Sequence, residues 1–195
     1  DTSIRVVILT GGGEDFCSGA DVKGMQTDGS IADAFVRIKV LHRFMQALAE
    51  IERPVIAAVR GVAVGVGWSL ALACDYVIAA SDARFQFAFR HIGLAPDGGA
   101  TKLLVQNLGV LRAKELIYSG RFVSGEEAYA LGLATEVLPS DEVLPRARAL
   151  ARELAVAPSL ALVMAKRQFA EAQSQTYAET LALERTMQPL MVRTE

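Results

Sequence analysis

Cysteine and histidine are scarce in this chain, two of each among 195 residues, and that scarcity removes several chemistries at once. Cys17 and Cys74 lie far apart, without Cys-x-x-Cys spacing and among apolar or small residues, so reduced thiols in a cytoplasmic protein are expected rather than a disulfide framework. His42 and His91 lack the close His or carboxylate spacing of a zinc helix, and no metal site is expected. Neither sign of charge prevails: 20 Lys and Arg face 22 Asp and Glu, a formal charge of −2. With no block of like charge, nucleic acid and anionic membranes are poor partners. Long apolar runs are missing too, because Arg60, Asp75 and Asp82 interrupt the greasiest region, so neither a signal peptide nor a membrane span is expected.

What is present is ample core material. Hydrophobic residues make up 52% of a chain whose length suits one domain, and disorder is excluded. Ile4–Thr10, Val55–Val59 and Tyr76–Ala80 read as buried strands, with Ala83–Phe87 as a shorter extended piece. Ile31, Phe35, Ile38, Met45, Leu48 and Ile51 recur at helical steps, which predicts an amphipathic helix over 31–51, ended by Pro54 and covering a sheet. After Thr101 helices dominate, at 101–107, 112–119 and 124–130, the last opening after Ser124 with Glu126 and Glu127 in its first turn. A short strand over Thr135–Leu138 precedes three more helices at 141–155, 158–173 and 176–187. Alternation of strands and helices predicts a parallel, layered α/β core.

Two strand exits are rich in small residues. Val55–Val59 leads into Gly61-Val62-Ala63-Val64-Gly65-Val66-Gly67-Trp68-Ser69, where spaced glycines let the backbone turn tightly and approach another molecule. Ile4–Thr10 leads into Gly11-Gly12-Gly13-Glu14-Asp15-Phe16-Cys17-Ser18-Gly19-Ala20-Asp21. A dinucleotide fingerprint fails because Phe16 stands at the third glycine, and a Walker A loop fails because no Gly-Lys-Ser/Thr follows. Paired exits of this kind suggest backbone N–H donors converging on one oxygen.

Phe16-Cys17-Ser18-Gly19-Ala20-Asp21-Val22-Lys23, Pro54 to Gly61, Ala71-Leu72-Ala73-Cys74-Asp75, Gly93 to Gly99 and Glu126 to Leu133 occur in an order that resembles the crotonase, or enoyl-CoA hydratase/isomerase, superfamily. The resemblance runs over nearly the whole chain. It implies an α/β fold of repeated ββα units in a spiral core, 1–138, carrying an acyl-CoA thioester site, and a helical C-terminal oligomerisation region, 139–195, that builds a homotrimer or a dimer of trimers. It implies Ala20 and Val66 as the oxyanion-hole amides and an acyl-CoA substrate, with coenzyme A entering as part of that substrate and no separate cofactor. Ser18, Asp21, Val22, Lys23, Gly65, Trp68, Ser69 and Phe89 would then contact substrate, Trp68 and Phe89 as pocket walls. Family members also begin with a strand-rich segment and end with a further helix, so part of the coenzyme A site is expected to lie outside Asp1–Glu195.

The two glutamates of the family's hydratases are replaced here, one by Ser69 and the other by Phe89, and neither side chain is a general base near neutral pH. Asp97, in Pro96-Asp97-Gly98-Gly99 after an apolar run, resembles the acid of members that shift double bonds or rearrange ring epoxides. Apolar neighbours such as Val66, Trp68, Phe87 and Phe89 would raise its pKa and suit it to take and return one proton. The expectation is therefore an isomerase acting through a thioester enolate. A 3-hydroxyacyl-CoA hydrolase, a hydratase-family member of altered chemistry and a catalytically inactive acyl-CoA-binding relative are the alternatives. Gly67-Trp68-Ser69-Leu70-Ala71 approaches a nucleophile elbow, but the final glycine is absent and the order Ser69, His91, Asp97 is unusual, so Ser69 is read as a helix-start residue facing the pocket. His42 is read as a hydrogen-bonded core or interface histidine.

Overall fold

The structure, a computed structural model, describes residues 3–21 and 30–192. Along the chain run β1 (Val7–Thr10), α1 (Ile31–Ala49), β2 (Val55–Val59), β3 (Val62–Val64), α2 (Val66–Leu72), β4 (Tyr76–Ala80) and β5 (Arg84–Gln86). A 3-10 helix (Phe89–Ile92) follows, then α3 (Ala100–Ser119), β6 (Phe122–Ser124), α4 (Gly125–Ala130), β7 (Glu136–Leu138), α5 (Ser140–Ala155), α6 (Ser159–Ala172) and α7 (Tyr177–Met191). Strands β1, β2, β4 and β7 form a parallel sheet in the order β1-β2-β4-β7. A smaller sheet, β3-β5-β6, pairs β3 with β5 in parallel and β5 with β6 antiparallel. In β2–β3–α2 and again in β4–β5–α3, the first strand joins the large sheet and the second the small one. These are the repeated ββα units that the resemblance implies, with the helical region behind them.

The sheets are held by burial. Every residue of β2 is buried, as are Val77 to Ala80 of β4, which matches continuous apolar strands covered on both faces. Val143, Ala147 and Leu150, at steps of four and three, form the buried stripe of α5, which packs across β1, β2 and β4. Among the described residues no helix is long and apolar enough to cross a membrane.

Three expectations need correction. The apolar spacing of α1 marks a real face, but Leu48 alone is buried, while Ile31, Phe35, Val40 and Phe44 are exposed, so within the described residues this helix does not cover a sheet. Periodicity identifies a face and not its partner. The helices expected at 101–107 and 112–119 run together as α3 across a kink at Gly109, whose φ of 74° and ψ of 167° no other residue type adopts readily. Strands β3 and β6 were not expected, since three residues are too few to display a period of two.

Candidate active site

The two small-residue exits meet through strand-like hydrogen bonds. Phe16 N–H donates to Arg60 O at 2.9 Å, Cys17 N–H to Val62 O at 3.0 Å, and Val64 N–H to Cys17 O at 2.9 Å. The resulting parallel bridge pairs Cys17 with Ala63. Three residues beyond the bridge on each side come Ala20 and Val66, so the register carries these two positions to the same place. Glycine permits the approach. A Cβ on Gly67 would lie 2.3 Å from Cys17 O, and one on Gly19, at φ +95°, would lie 2.8 Å from Val64 O.

Val66 is the first residue of α2, where an amide has no helical acceptor. Among the described residues neither the Val66 nor the Ala20 N–H donates a hydrogen bond. Both residues line a cavity of about 70 Å³, together with Ser18, Gly19, Val64, Gly65, Ala88, Phe89, Ile92, Leu94 and Asp97. Whole-ligand pockets run to roughly 300–1,000 Å³, so a space of this size suits the reacting end of a ligand.

Among the described residues, Asp97 is the one ionisable side chain lining that cavity. It is half-buried, and burial pushes its carboxyl above the ordinary value, while the positive form of His42 pulls the other way. Its backbone carbonyl accepts the Ala100 N–H at 3.0 Å, which seats the turn on the start of α3.

The remaining site candidates are distributed unevenly. Ser18, Gly65 and Phe89 line the cavity with Ala20, Val66 and Asp97. Trp68 and Ser69 are fully buried and do not line it. Trp68 stacks on Phe87 at 4.5 Å, and Phe87 on Phe89 at 6.0 Å, so Trp68 backs the wall through an aromatic ladder. The Ser69 hydroxyl has no hydrogen-bond partner among the described residues, and His91 instead reaches Gly120 O at 2.9 Å, which leaves no Ser–His pair. Asp21 is exposed, and Val22 and Lys23 lie outside the described residues. His42 is exposed on α1 rather than enclosed in a core, and lines a groove of about 410 Å³ with Gly98, Gly99 and Lys102. Ala88, Ile92 and Leu94 were not singled out from the sequence as cavity residues. Ile92 and Leu94 belong to the apolar run before Pro96, read only as Asp97's approach, and Ala88 lies outside it.

A larger cavity, about 520 Å³, lies elsewhere, between α2, α3 and α6. Among the residues lining it, burial pushes the Cys74 thiol up to about 12, and Lys166 is paired with Asp75 at 2.7 Å.

Residues 1–195 match the family described as "Enoyl-CoA hydratase/isomerase". The chain is 35% identical over 195 residues to a 2,3-dehydroadipyl-CoA hydratase of Escherichia coli, covering 100% of this chain and 75% of that protein. It is 38% identical over 196 residues to a 1,2-epoxyphenylacetyl-CoA isomerase of the same organism, covering 99% and 75%. Among solved structures, an enoyl-CoA hydratase/isomerase from Cupriavidus metallidurans CH34 superposes with a TM-score of 0.91 at 38% identity, covering 100% of this chain and 73% of that one. Family match, sequence relatives and superposed structure agree: this chain belongs to the enoyl-CoA hydratase/isomerase family and has the crotonase fold.

Proposed function

We propose that the protein is an acyl-CoA isomerase in which Asp97 moves a proton and the Ala20 and Val66 amides hold the thioester oxygen. The observation that supports this is a single cavity lined, among the described residues, by two residues with unengaged N–H groups and by one ionisable side chain. Removing a proton α or γ to a thioester sends the C–H electron pair toward the carbonyl, and the charge settles on oxygen as an enolate. Fixed backbone dipoles stabilise that charge without reorganising, and loss of one such donor costs about 10²–10³ in rate. Asp97, now protonated, returns the proton at the displaced carbon, so one acid suffices and no net proton is consumed. An elevated proton affinity suits this cycle because the carboxylate must be basic enough to accept the proton and acidic enough to release it.

Water addition is disfavoured because Phe89, which lines the cavity, and Ser69, buried outside it, stand where the family's hydratases carry glutamates. The acyl-CoA is substrate, and the coenzyme A part serves as its handle. The exposed apolar residues of α6 and α7, Phe169, Tyr177 and Leu181, fit a homotrimer or a dimer of trimers.

The test is Asp97→Asn assayed with 3-enoyl-CoA and ring-epoxide acyl-CoA substrates. A fall of about 10²–10⁴ in turnover with acyl-CoA affinity kept is the expected result. Undiminished turnover would remove Asp97 from the mechanism, and thiol release detected with a colorimetric reagent would point to the hydrolase.

A further inference from the structure

The cavity wall is tied to the far end of α3 by three side chains from residues 86–91. Gln86 Nε2 donates to Gly120 O at 2.7 Å, and His91 Nε2 lies 2.9 Å from the same oxygen. Arg90 Nη1 donates to Tyr118 O at 2.5 Å and reaches Ser119 O at 3.4 Å. The last carbonyls of a helix lack partners within it, and a cation beside them is favoured by the helix dipole. Space there is tight: Gly120, at φ +57°, would place a Cβ 2.7 Å from His91 Nε2 and 2.9 Å from Arg90 Cγ.

The other attachments of this segment lead to the site. Gln86 O accepts the Gly65 N–H at 2.8 Å, beside Val66. The 3-10 helix supplies Phe89 and Ile92 to the cavity, and Leu94 N–H folds back on Phe89 O at 3.0 Å. Asp97 then opens α3 through Ala100, and α3, bent at Gly109, ends at Gly120 against Arg90 and His91. The chain from 86 to 120 is thus a closed buckle with Asp97 on its rim.

We propose that Gln86, Arg90 and His91 are positioning residues that lock the cavity wall to the C-terminal end of α3 and thereby fix Asp97 relative to the Ala20 and Val66 amides. The proposal rests on the reading of Asp97 as the proton carrier. None of the three lines the cavity, so they act through Phe89 and the Asp97 turn. Phe89 and Asp97 line the same cavity, where Phe89 contributes apolar wall. His42 on α1 and Lys102 on α3 are, among the described residues, the titratable groups lining the groove beside Gly98 and Gly99, and they stay unchanged in the variants below.

The experiment compares the parent, Arg90→Met/His91→Leu, the conservative Arg90→Lys and His91→Asn, and Asp97→Asn. It follows α-proton exchange of a saturated acyl-CoA in D₂O, its Kd, and the pH profile of the maximal rate. Misplacement by about 1 Å can cost on the order of 100-fold in rate. The double variant should lose about 10- to 100-fold in maximal exchange with Kd changed less than about threefold. Its acid limb should move to lower pH as water reaches Asp97, and the conservative variants should recover most of the rate. Should the double variant fail to fold, His91→Leu alone keeps Gln86 on Gly120 O and is expected to show a smaller effect of the same pattern. Parent-like exchange in the folded clamp variants while Asp97→Asn is dead would overturn the positioning role alone. A loss of melting temperature and rate with the acid limb unmoved and no conservative recovery would also overturn it. Persistent exchange in Asp97→Asn would overturn the proton-carrier reading and the clamp with it.

Discussion

Burial disfavours the charged form of Asp97, and this has a consequence for stability as well as for chemistry. Because its pKa in the fold lies above the ordinary value, the folded state retains the proton at pH values where the unfolded chain has lost it. Its favourable contribution is complete below the unfolded pKa and is lost as pH rises through the raised folded one. Asp97→Asn should therefore melt at or above the parent temperature at neutral pH, with the difference closing below about pH 4, where both side chains are neutral. Thermal melts across pH test this, and a penalty for the variant at pH 8 would contradict it. Ser69 offers the parallel case without charge. Its fully buried hydroxyl has no partner among the described residues, and an unsatisfied buried polar group costs about 1–3 kcal/mol. Ser69→Ala is expected to be neutral or stabilising in urea unfolding, and a clear loss would mean that the hydroxyl is satisfied. At this scale Asp97 was singled out through the family resemblance, since Pro96-Asp97-Gly98-Gly99 by itself reads as a plain turn. The sequence was silent on the Gln86, Arg90 and His91 contacts to Gly120, since nothing local links residues about 30 apart.

At the scale of elements, the site depends on how closely α2 approaches residues 16–20. Gly67→Ala would set a Cβ 2.3 Å from Cys17 O, a backbone atom that cannot rotate away. The helix must shift, and the Ala20 and Val66 amides separate with it. Turnover should fall by about 10²–10³, the cost of one lost oxyanion donor, with Asp97 chemistry otherwise intact. Kinetics on the folded variant decide this, and a parent-like rate would show that the two amides do not act together. The same elements mark how far sequence reasoning reached. Strands β2 and β4 were legible because runs of five and four consecutive buried apolar residues leave few alternatives. The pairing of Cys17 with Ala63 was not, because register arises from hydrogen bonds between segments and leaves no periodic trace in either. Convergence of the two exits was inferred from their shared composition, and the identity of the amides only from the family resemblance. For α1 the period was correct and the expected partner was not, since a helix whose apolar face is exposed looks the same in sequence as one whose face is covered.

In the whole molecule, the helices beyond α5 are attached to the core mainly by polar tethers. Neither α6 nor α7 has a buried residue, and a cavity of about 520 Å³ separates α6 from α2 and α3. Across that gap Lys166 Nζ donates to Asp75 Oδ2 at 2.7 Å and to Arg53 O at 3.2 Å, while Asp75 Oδ2 also accepts the Val55 N–H at 2.7 Å. One carboxylate therefore joins the beginning of β2 to the middle of α6, with a second tether from Arg53 Nη1 to Ser159 Oγ at 3.1 Å. Hydrogen bonds to charged groups contribute about 1.5–3 kcal/mol, so Lys166→Met should weaken the attachment by about that much. Asp75 would remain paired with the Val55 amide, and the sheet should be spared. Hydrogen exchange should accordingly rise in α6 and α7 while β2 and β4 keep their protection. Equal protection of α6 in variant and parent would place its attachment in apolar contacts instead, and uniform loss through β2 and β4 would make Lys166 part of the core's own stability.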